Sequence, residues 1–224
     1  IMKNLVRNFC IIIPARSGSK GIPNKNIQKI NNQSLLNRAV SCASKLSEIE
    51  HICITTDSQE YIDHVKEEFN PNFLMRSSQL SDDNSLAIDV WKDAIRYLSK
   101  EKKMYDYSLY LEPTSPLRNI EWIIKIIRNF EISNDELWMS VKETDSKYRI
   151  EKQFKLDNQS NLINFNNNVE QNSLRQTSET TYHKDGVFYI ANNEYILETK
   201  SLLSGRVKGI INNYPSINID SYQE

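Results

Sequence analysis

Three cations stand in one short stretch that also holds two glycines: Arg16, Lys20 and Lys25, with Gly18 and Gly21 among them. The whole chain has only five glycines, so two of them three residues apart mark a backbone that something approaches closely. Glycine lacks a Cβ, which lets main-chain amides near a ligand and permits positive φ where a turn needs it. Successive amides in such a turn form a concavity for anions, and three full charges beside it suit a polyphosphate. The charge distribution agrees. No acidic residue precedes Glu48, whereas Lys3, Arg7, Arg16, Lys20, Lys25, Lys29, Arg38 and Lys45 all do, in a chain of net charge −1. A solvated basic surface is the plainer reading for scattered lysines. Neither common phosphate-loop template fits, since two glycines five apart before Lys-Ser/Thr and Gly-x-Gly-x-x-Gly are both missing.

The elements that must position this loop follow from periodicity. Residues 10–13 form a short apolar, β-branched run ended by Pro14, which reads as a buried parallel strand. A strand-to-loop crossing of this kind is where open α/β sheets bind ligands. Leu35, Leu36, Ala39, Val40, Ala43 and Leu46 recur at helical spacing. A strand over 51–56 ends in Thr-Thr-Asp-Ser, where Asp57 or Ser58 can cap a helix through Ile62 and Val65; Asp57 could otherwise stand beside the ligand or its metal. Residues 72–76 read as a short strand, and Ile88, Trp91, Ile95 and Leu98 as an amphipathic helix ending in cations, as its dipole prefers. A strand over 107–111, a helix faced by Ile120, Ile123, Ile124 and Ile127, and a strand over 137–141 continue the alternation. Such alternation predicts a parallel sheet wrapped by helices. From 144 to 181 the sequence turns polar and rich in Asn and Gln, with short runs at 154–156 and 162–165 that predict a small β-arm. Strands at 186–190, 207–211 and 217–220 and a helical stretch at 194–198 complete the pattern. The expected organisation is a core of residues 1–143 and 183–224, with 144–182 inserted as an arm.

Composition narrows the class. At 224 residues, 39% hydrophobic and 25% charged, the chain reads as one soluble globular domain with a sizeable core. No apolar run reaches the length of a membrane span and no signal peptide precedes the first strand, so a cytoplasmic protein without membrane contact is expected. Cys10, Cys42 and Cys53 are odd in number and lack metal-ligand spacing, which predicts buried free thiols in a reducing compartment. The near-neutral charge argues against nucleic acid as a partner.

Residues 14–26, Pro-Ala-Arg-Ser-Gly-Ser-Lys-Gly-Ile-Pro-Asn-Lys-Asn, resemble the opening signature of the acylneuraminate cytidylyltransferases, which make CMP-sialic acids and related CMP-sugars. Five further segments resemble that family in the same order. They are Ile-Thr-Thr-Asp-Ser at 54–58, residues 76–85, Leu-Glu-Pro-Thr-Ser-Pro-Leu-Arg at 111–118, Arg175-Gln176 with Asp-Gly-Val-Phe-Tyr at 185–189, and Ser-Ile-Asn-Ile-Asp at 216–220. The resemblance implies a three-layer α/β/α, Rossmann-like nucleotidyltransferase with a mainly parallel, mixed sheet and a small β-rich dimerisation arm. It implies a homodimer that uses CTP, a small sugar acid and Mg²⁺, and that releases pyrophosphate. By the same resemblance, Arg16, Ser17 and Lys20 hold the triphosphate and Lys25 meets charge at the α-phosphate. Asn26 reaches the ribose or cytosine. Arg76 and Ser85 read the base, with a helix cap as the alternative for Ser85. Glu112 stands beside the sugar, Arg175 pairs with the sugar carboxylate or the reacting phosphate, and Asp220 with Asn218 places the metal. The catalytic set is thus Lys25, Arg175 and Arg16. Arg118 reads as a solvated side chain, while Tyr182 and His183 either face substrate or serve structure.

Three positions depart from the family pattern: Glu112 replaces Gln, Asp185 replaces Asn, and Asn218 replaces the first aspartate of the metal pair. They leave open a Kdo-type acid or phosphonate as acceptor, or a weakly catalytic nucleotide-binding protein.

Overall fold

The computed structural model describes residues 9–19, 21–46, 51–82, 84–100, 105–165 and 180–224. Strand β1 (Phe9–Pro14) is the apolar run that leads into the basic loop, and all of it but Pro14 is buried. A small hairpin of β2 (Lys29–Ile30) and β3 (Gln33–Ser34) turns through Asn31 and Asn32, both at positive φ, a backbone that asparagine tolerates well. Ser34 then caps α1 (Leu35–Ser44), its Oγ accepting the Asn37 N–H at 3.1 Å. Next come β4 (His51–Thr56), α2 (Gln59–Lys66), β5 (Asn72–Met75), α3 (Ala87–Lys100), β6 (Tyr107–Tyr110) and α4 (Ile120–Glu131). After β7 (Leu137–Glu143), the segment at 154–164 folds into the hairpin β8 (Phe154–Leu156) and β9 (Leu162–Asn164). The chain closes with β10 (Tyr182–Asn192), α5 (Asn193–Glu198) and β11 (Val207–Ile211).

Among the described residues seven strands form one sheet in the order β11-β7-β10-β6-β1-β4-β5. β1 pairs in parallel with β4 and β6, β4 with β5, and β7 with β11. The long β10 runs antiparallel to both β6 and β7 and joins the two parallel halves. Alternation along the strands sorts the core to both faces. Phe9, Ile11 and Ile13 pack with Leu36, Val40, Tyr61, Ile123 and Phe130, which places α1, α2 and α4 on one side. Cys10 and Ile12 pack instead with Trp91, Ile95, Leu98 and Ile196, which places α3 and α5 on the other. The architecture is therefore a three-layer α/β/α sandwich around a mixed, mostly parallel sheet. All three cysteines are buried free thiols. Among the described residues no helix is long and apolar enough to cross a membrane.

One predicted strand is absent. Residues 217–220 alternate apolar and polar but form no strand. Their backbone bonds to a loop, with the Ile219 N–H donating to the Thr114 carbonyl at 2.8 Å. Ile219 fills a small satellite core with Ile22 and Leu35, so its burial comes from the loop after β1 and the start of α1, and not from a neighbouring strand.

Candidate active site

The carboxyl ends of β1, β4 and β6 lie side by side, and the loops that leave them build the site. Ala15 N–H donates to Thr55 O at 2.9 Å, and Leu111 N–H to Ile12 O at 3.0 Å, so the three strand ends are stitched together past their last ladder bonds. The chain then turns through Asn24, at φ 50°, into a 3-10 turn at Lys25–Ile27. Asn26 is buried, and its Nδ2 donates to the Arg16 carbonyl at 2.9 Å. Arg16, Lys25 and Asn26 thereby share one wall.

That wall bounds a cavity of about 250 Å³, lined further by Pro14, Ser19, Arg76, Leu80, Asp82, Ser85, Ala87, Val90, Tyr110, Glu112, Pro113 and Thr114. Six residues expected from sequence meet here: Arg16, Lys25, Asn26, Arg76, Ser85 and Glu112. Their current partners differ in kind. Arg76 is buried and serves the scaffold, donating through Nε to Thr55 Oγ1 (3.3 Å), Nη2 to Thr55 O (2.8 Å) and Nη1 to Leu80 O (3.4 Å). Burial lowers its pKa, and Asp57 and Tyr110 work in the opposite direction. The Ser85 hydroxyl donates to Gln79 O at 2.8 Å, and α3 begins two residues later. Asn26 Oδ1 is the informative case: it is buried with no hydrogen-bond partner among the described residues. A buried unmatched acceptor costs about 1–3 kcal/mol, which a ligand donor would recover.

Lys25 and Asp220 form an ion pair of 2.7 Å, with the lysine side chain only 14% exposed and the aspartate 62%. Asn218 Nδ2 donates to the other oxygen of Asp220 at 2.8 Å. The C-terminal segment reaches this place because Gly21 leaves room for it, since a Cβ there would stand 2.5 Å from the Asp220 carbonyl oxygen. Among the described residues Gly18 has nothing within 4 Å, and neither glycine adopts positive φ. Ser17 does not line the cavity; its N–H and Oγ both turn to Asp57. Lys20 and Arg175 lie outside the described residues.

A partly buried charged cluster adjoins the cavity at Glu112. Burial raises the Glu112 carboxyl above its ordinary range, opposed by Arg118 and Lys184. Arg118 is not the solvated side chain that its sequence context suggests. Its Nη2 donates to Glu112 O at 2.5 Å and its Nε to Val187 O at 2.9 Å, and desolvation lowers its pKa. It fastens the loop after β6 to β10. Asp185 is also buried, its Oδ2 accepting the Asn212 Nδ2 at 2.6 Å and its Oδ1 the Val187 N–H at 3.2 Å. Gly186 follows at φ +70°, so close to Ser115 Oγ and Glu112 Oε2 that a side chain there has neither the conformation nor the space. His183 is exposed on β10 and meets Thr144 Oγ1 at 3.2 Å.

The family described as cytidylyltransferase matches residues 10–212. The chain belongs to the cytidylyltransferase family. It is 30% identical over 190 residues to N-acylneuraminate cytidylyltransferase of Escherichia coli O18:K1:H7, covering 84% of this chain and 43% of that one. It thus spans less than half the length of that relative. It is 28% identical over 193 residues to pseudaminic acid cytidylyltransferase of Campylobacter jejuni serotype O:2, covering 86% and 82% of the two chains. Among solved structures it is similar to a CMP:2-keto-3-deoxy-manno-octonic acid synthetase complexed with CTP, with TM-score 0.66, 12% identity, and 95% and 93% coverage. That likeness is one of fold alone.

Several wall residues lie outside the set expected from sequence. Tyr110 stands at the carboxyl end of a parallel strand, a position that could have nominated it. Ser19, Asp82 and Thr114 are polar loop residues inside segments that the motifs already bracket. Asp57, one step behind the wall, was ambiguous because its neighbour Ser58 is an equally good helix cap.

Proposed function

We propose that this chain transfers CMP from CTP to the anomeric hydroxyl of a nonulosonic acid of the sialic, pseudaminic or legionaminic type. The anomeric oxygen bonds to the α-phosphorus, the bond from that phosphorus to the pyrophosphate oxygen breaks, and the hydroxyl proton leaves. The observation that carries this reading is the wall made by Arg16, Lys25 and the unpartnered Asn26 oxygen at the carboxyl edge of the sheet. The names of its relatives support the acceptor class.

Nucleotidyl transfer draws its rate from positioning and charge neutralisation. Arg16 offers a bidentate fork to the outer phosphates, with Lys20 beside it in sequence. Lys25, little exposed, suits the charge that develops at the α-phosphate, where a fixed cation in a dry site counts most. Asn26 Oδ1 accepts from the cytosine amino group or a ribose hydroxyl. Glu112 faces the acceptor end of the cavity. Arg175 is assigned to the sugar carboxylate or the reacting phosphate by its motif alone.

The donor set suits Mg²⁺. Among the described residues no three acidic, His or Cys side chains cluster for a metal, and Mg²⁺ commonly takes one or two carboxylates plus substrate phosphates and waters. Asp220, largely exposed and paired with Lys25, would supply the carboxylate and Asn218 its amide oxygen. The bound ion adds charge stabilisation on the phosphates. A two-fold homodimer is part of the reading: Phe154, Leu156, Leu162, Ile163 and Phe165 leave an apolar surface on the β8–β9 arm that a second copy would cover. Three buried free thiols suit a cytoplasmic setting.

The test is pyrophosphate release with CTP, Mg²⁺ and a panel of sugar acids. Arg16→Ala and Lys25→Ala should each lower kcat/KM by about 10²–10³-fold. Absence of any calorimetric heat with CTP and Mg²⁺, together with no effect of those two changes, would refute the proposal.

A further inference from the structure

In sequence Asp57 is either a helix cap or a ligand-side group; in the fold it is neither. Ser58 caps α2, its Oγ accepting the Tyr61 N–H at 3.3 Å. Both oxygens of Asp57 face Ser17 instead. Oδ1 accepts the Ser17 N–H at 2.8 Å, and Oδ2 accepts the Ser17 hydroxyl at 3.0 Å. One carboxylate therefore grips, through main chain and side chain together, the residue that follows Arg16. The preceding residue is held as well, by Ala15 N–H on Thr55 O at 2.9 Å. The Arg16 carbonyl itself accepts from Asn26 Nδ2 at 2.9 Å. Arg16 is thus fixed from before, from behind and at its own backbone, and Thr55 and Asp57 both come from the end of β4.

Among the described residues, the cavity wall includes Arg16 and Asn26 but neither Ser17 nor Asp57. The clamp sits one layer behind the surface that a ligand would touch. It also answers an electrostatic need. Arg16 disfavours the charge on buried Arg76, whereas Asp57 favours it, so the carboxylate allows two guanidinium groups to share one wall.

We propose that Asp57 is a positioning residue for nucleotide binding: through its two bonds to Ser17 it sets the loop after β1 so that Arg16 stands ready for phosphate. This rests on the reading that the cavity takes CTP. It also makes the Ser17 amide and hydroxyl parts of the clamp, not ligands of the triphosphate.

Calorimetry of CTP with Mg²⁺ on the full chain tests it, using Asp57→Ala and Asp57→Asn. Alanine removes both bonds, and affinity should fall about ten- to hundredfold, the effect of one or two lost charge-assisted hydrogen bonds. Asparagine can accept from the Ser17 N–H and donate to its hydroxyl, which turns to accept, but both bonds and the wall lose the negative charge, so a loss of about three- to tenfold, smaller than that of alanine, is expected. In turnover assays with alanine, KM for CTP should rise by more than kcat falls, a split that general loosening of the fold does not produce. If Asp57→Ala does not fold, Ser17→Ala cuts the hydroxyl bond alone, and an intermediate loss of about three- to tenfold is expected. Wild-type affinity in whichever of these two variants folds would overturn the proposal, as would equal weakening by asparagine and alanine. A wild-type chain that gives no heat with CTP would instead sink the nucleotide reading and this proposal with it.

Discussion

A methyl group at residue 21 tests how the C-terminal segment meets the basic loop. In Gly21→Ala the new Cβ would stand 2.5 Å from the carbonyl oxygen of Asp220 and 3.7 Å from its carbon. Ordinary contact begins near 3.4 Å, so the two backbones must part by roughly 0.9 Å. The segment is not free to yield. Ile219 N–H is bonded to Thr114 O at 2.8 Å, Ile219 packs on Ile22 and Leu35, and the Asp220 carboxylate is held by Lys25 at 2.7 Å. Overpacking of this kind costs about 1–3 kcal/mol. Alanine narrows the unfolded ensemble, which offsets about 0.4–1 kcal/mol, so a net loss of about 1–2 kcal/mol is expected. Gly18→Ala is the internal control: among the described residues nothing lies within 4 Å and its φ is ordinary, so it should be neutral or stabilising by up to about 1 kcal/mol. Urea titration of both variants reads the difference as a lower midpoint for Gly21→Ala at unchanged slope. The same displacement draws Asp220 from Lys25, so the Mg²⁺ concentration for half-maximal activity should rise for that variant alone. Equal midpoints for the two alanine variants would refute the packing argument.

Glu112→Gln should stabilise the chain at neutral pH. Burial lifts the Glu112 carboxyl above its ordinary 4.5, so the folded state holds the proton more tightly than the unfolded one. Its stabilising contribution is full below that value and is lost as pH rises through the folded pKa; urea midpoints across this range should flatten in the variant. Asn218→Asp replaces the 2.8 Å hydrogen bond to Asp220 with a like-charge contact. Without metal it should lose about 1 kcal/mol, and Mg²⁺ should raise its melting temperature more than that of wild type. Trp91→Phe removes the Nε1 donor that meets Ser108 Oγ at 2.7 Å, in a buried chain that continues to Asn193 Oδ1 at 2.6 Å. A loss of about 1–2 kcal/mol by denaturation is expected.

The layers were legible because each is written locally. The run at 10–13 and the helical spacing of Ile88, Trp91, Ile95 and Leu98 state their structure within one strand or a few turns. The hairpin at 154–164 was legible for the same reason, short apolar runs within a polar stretch. What was not legible depends on contacts far along the chain. Residues 217–220 have a strand's alternation, yet their burial comes from Ile22 and Leu35, two hundred residues away in sequence order by rough measure. Arg118 follows a proline in a loop and looks solvated; only the approach of β10 supplies Val187 O and buries it. The glycine pair announced a close approach, but composition could not tell that at Gly21 the approaching group is the chain's own Asp220. Likewise, Asp57 and Ser58 are both good caps, and which one turns back toward Ser17 is decided by where β1 and β4 lie in the sheet.

The placement of β10 between β6 and β7 has a consequence for how the molecule comes into being. As the chain leaves the ribosome, β1, β4, β5 and β6 are available early and can pair among themselves. β7 emerges soon afterwards but has no edge of its own to join, because its neighbours on both sides, β10 and β11, are not yet made. The middle of the sheet must therefore be filled late, by a strand that arrives only after the arm has been synthesised. Until then the unpaired edges of β6 and β7 wait open, the condition in which nascent chains most readily stick to one another.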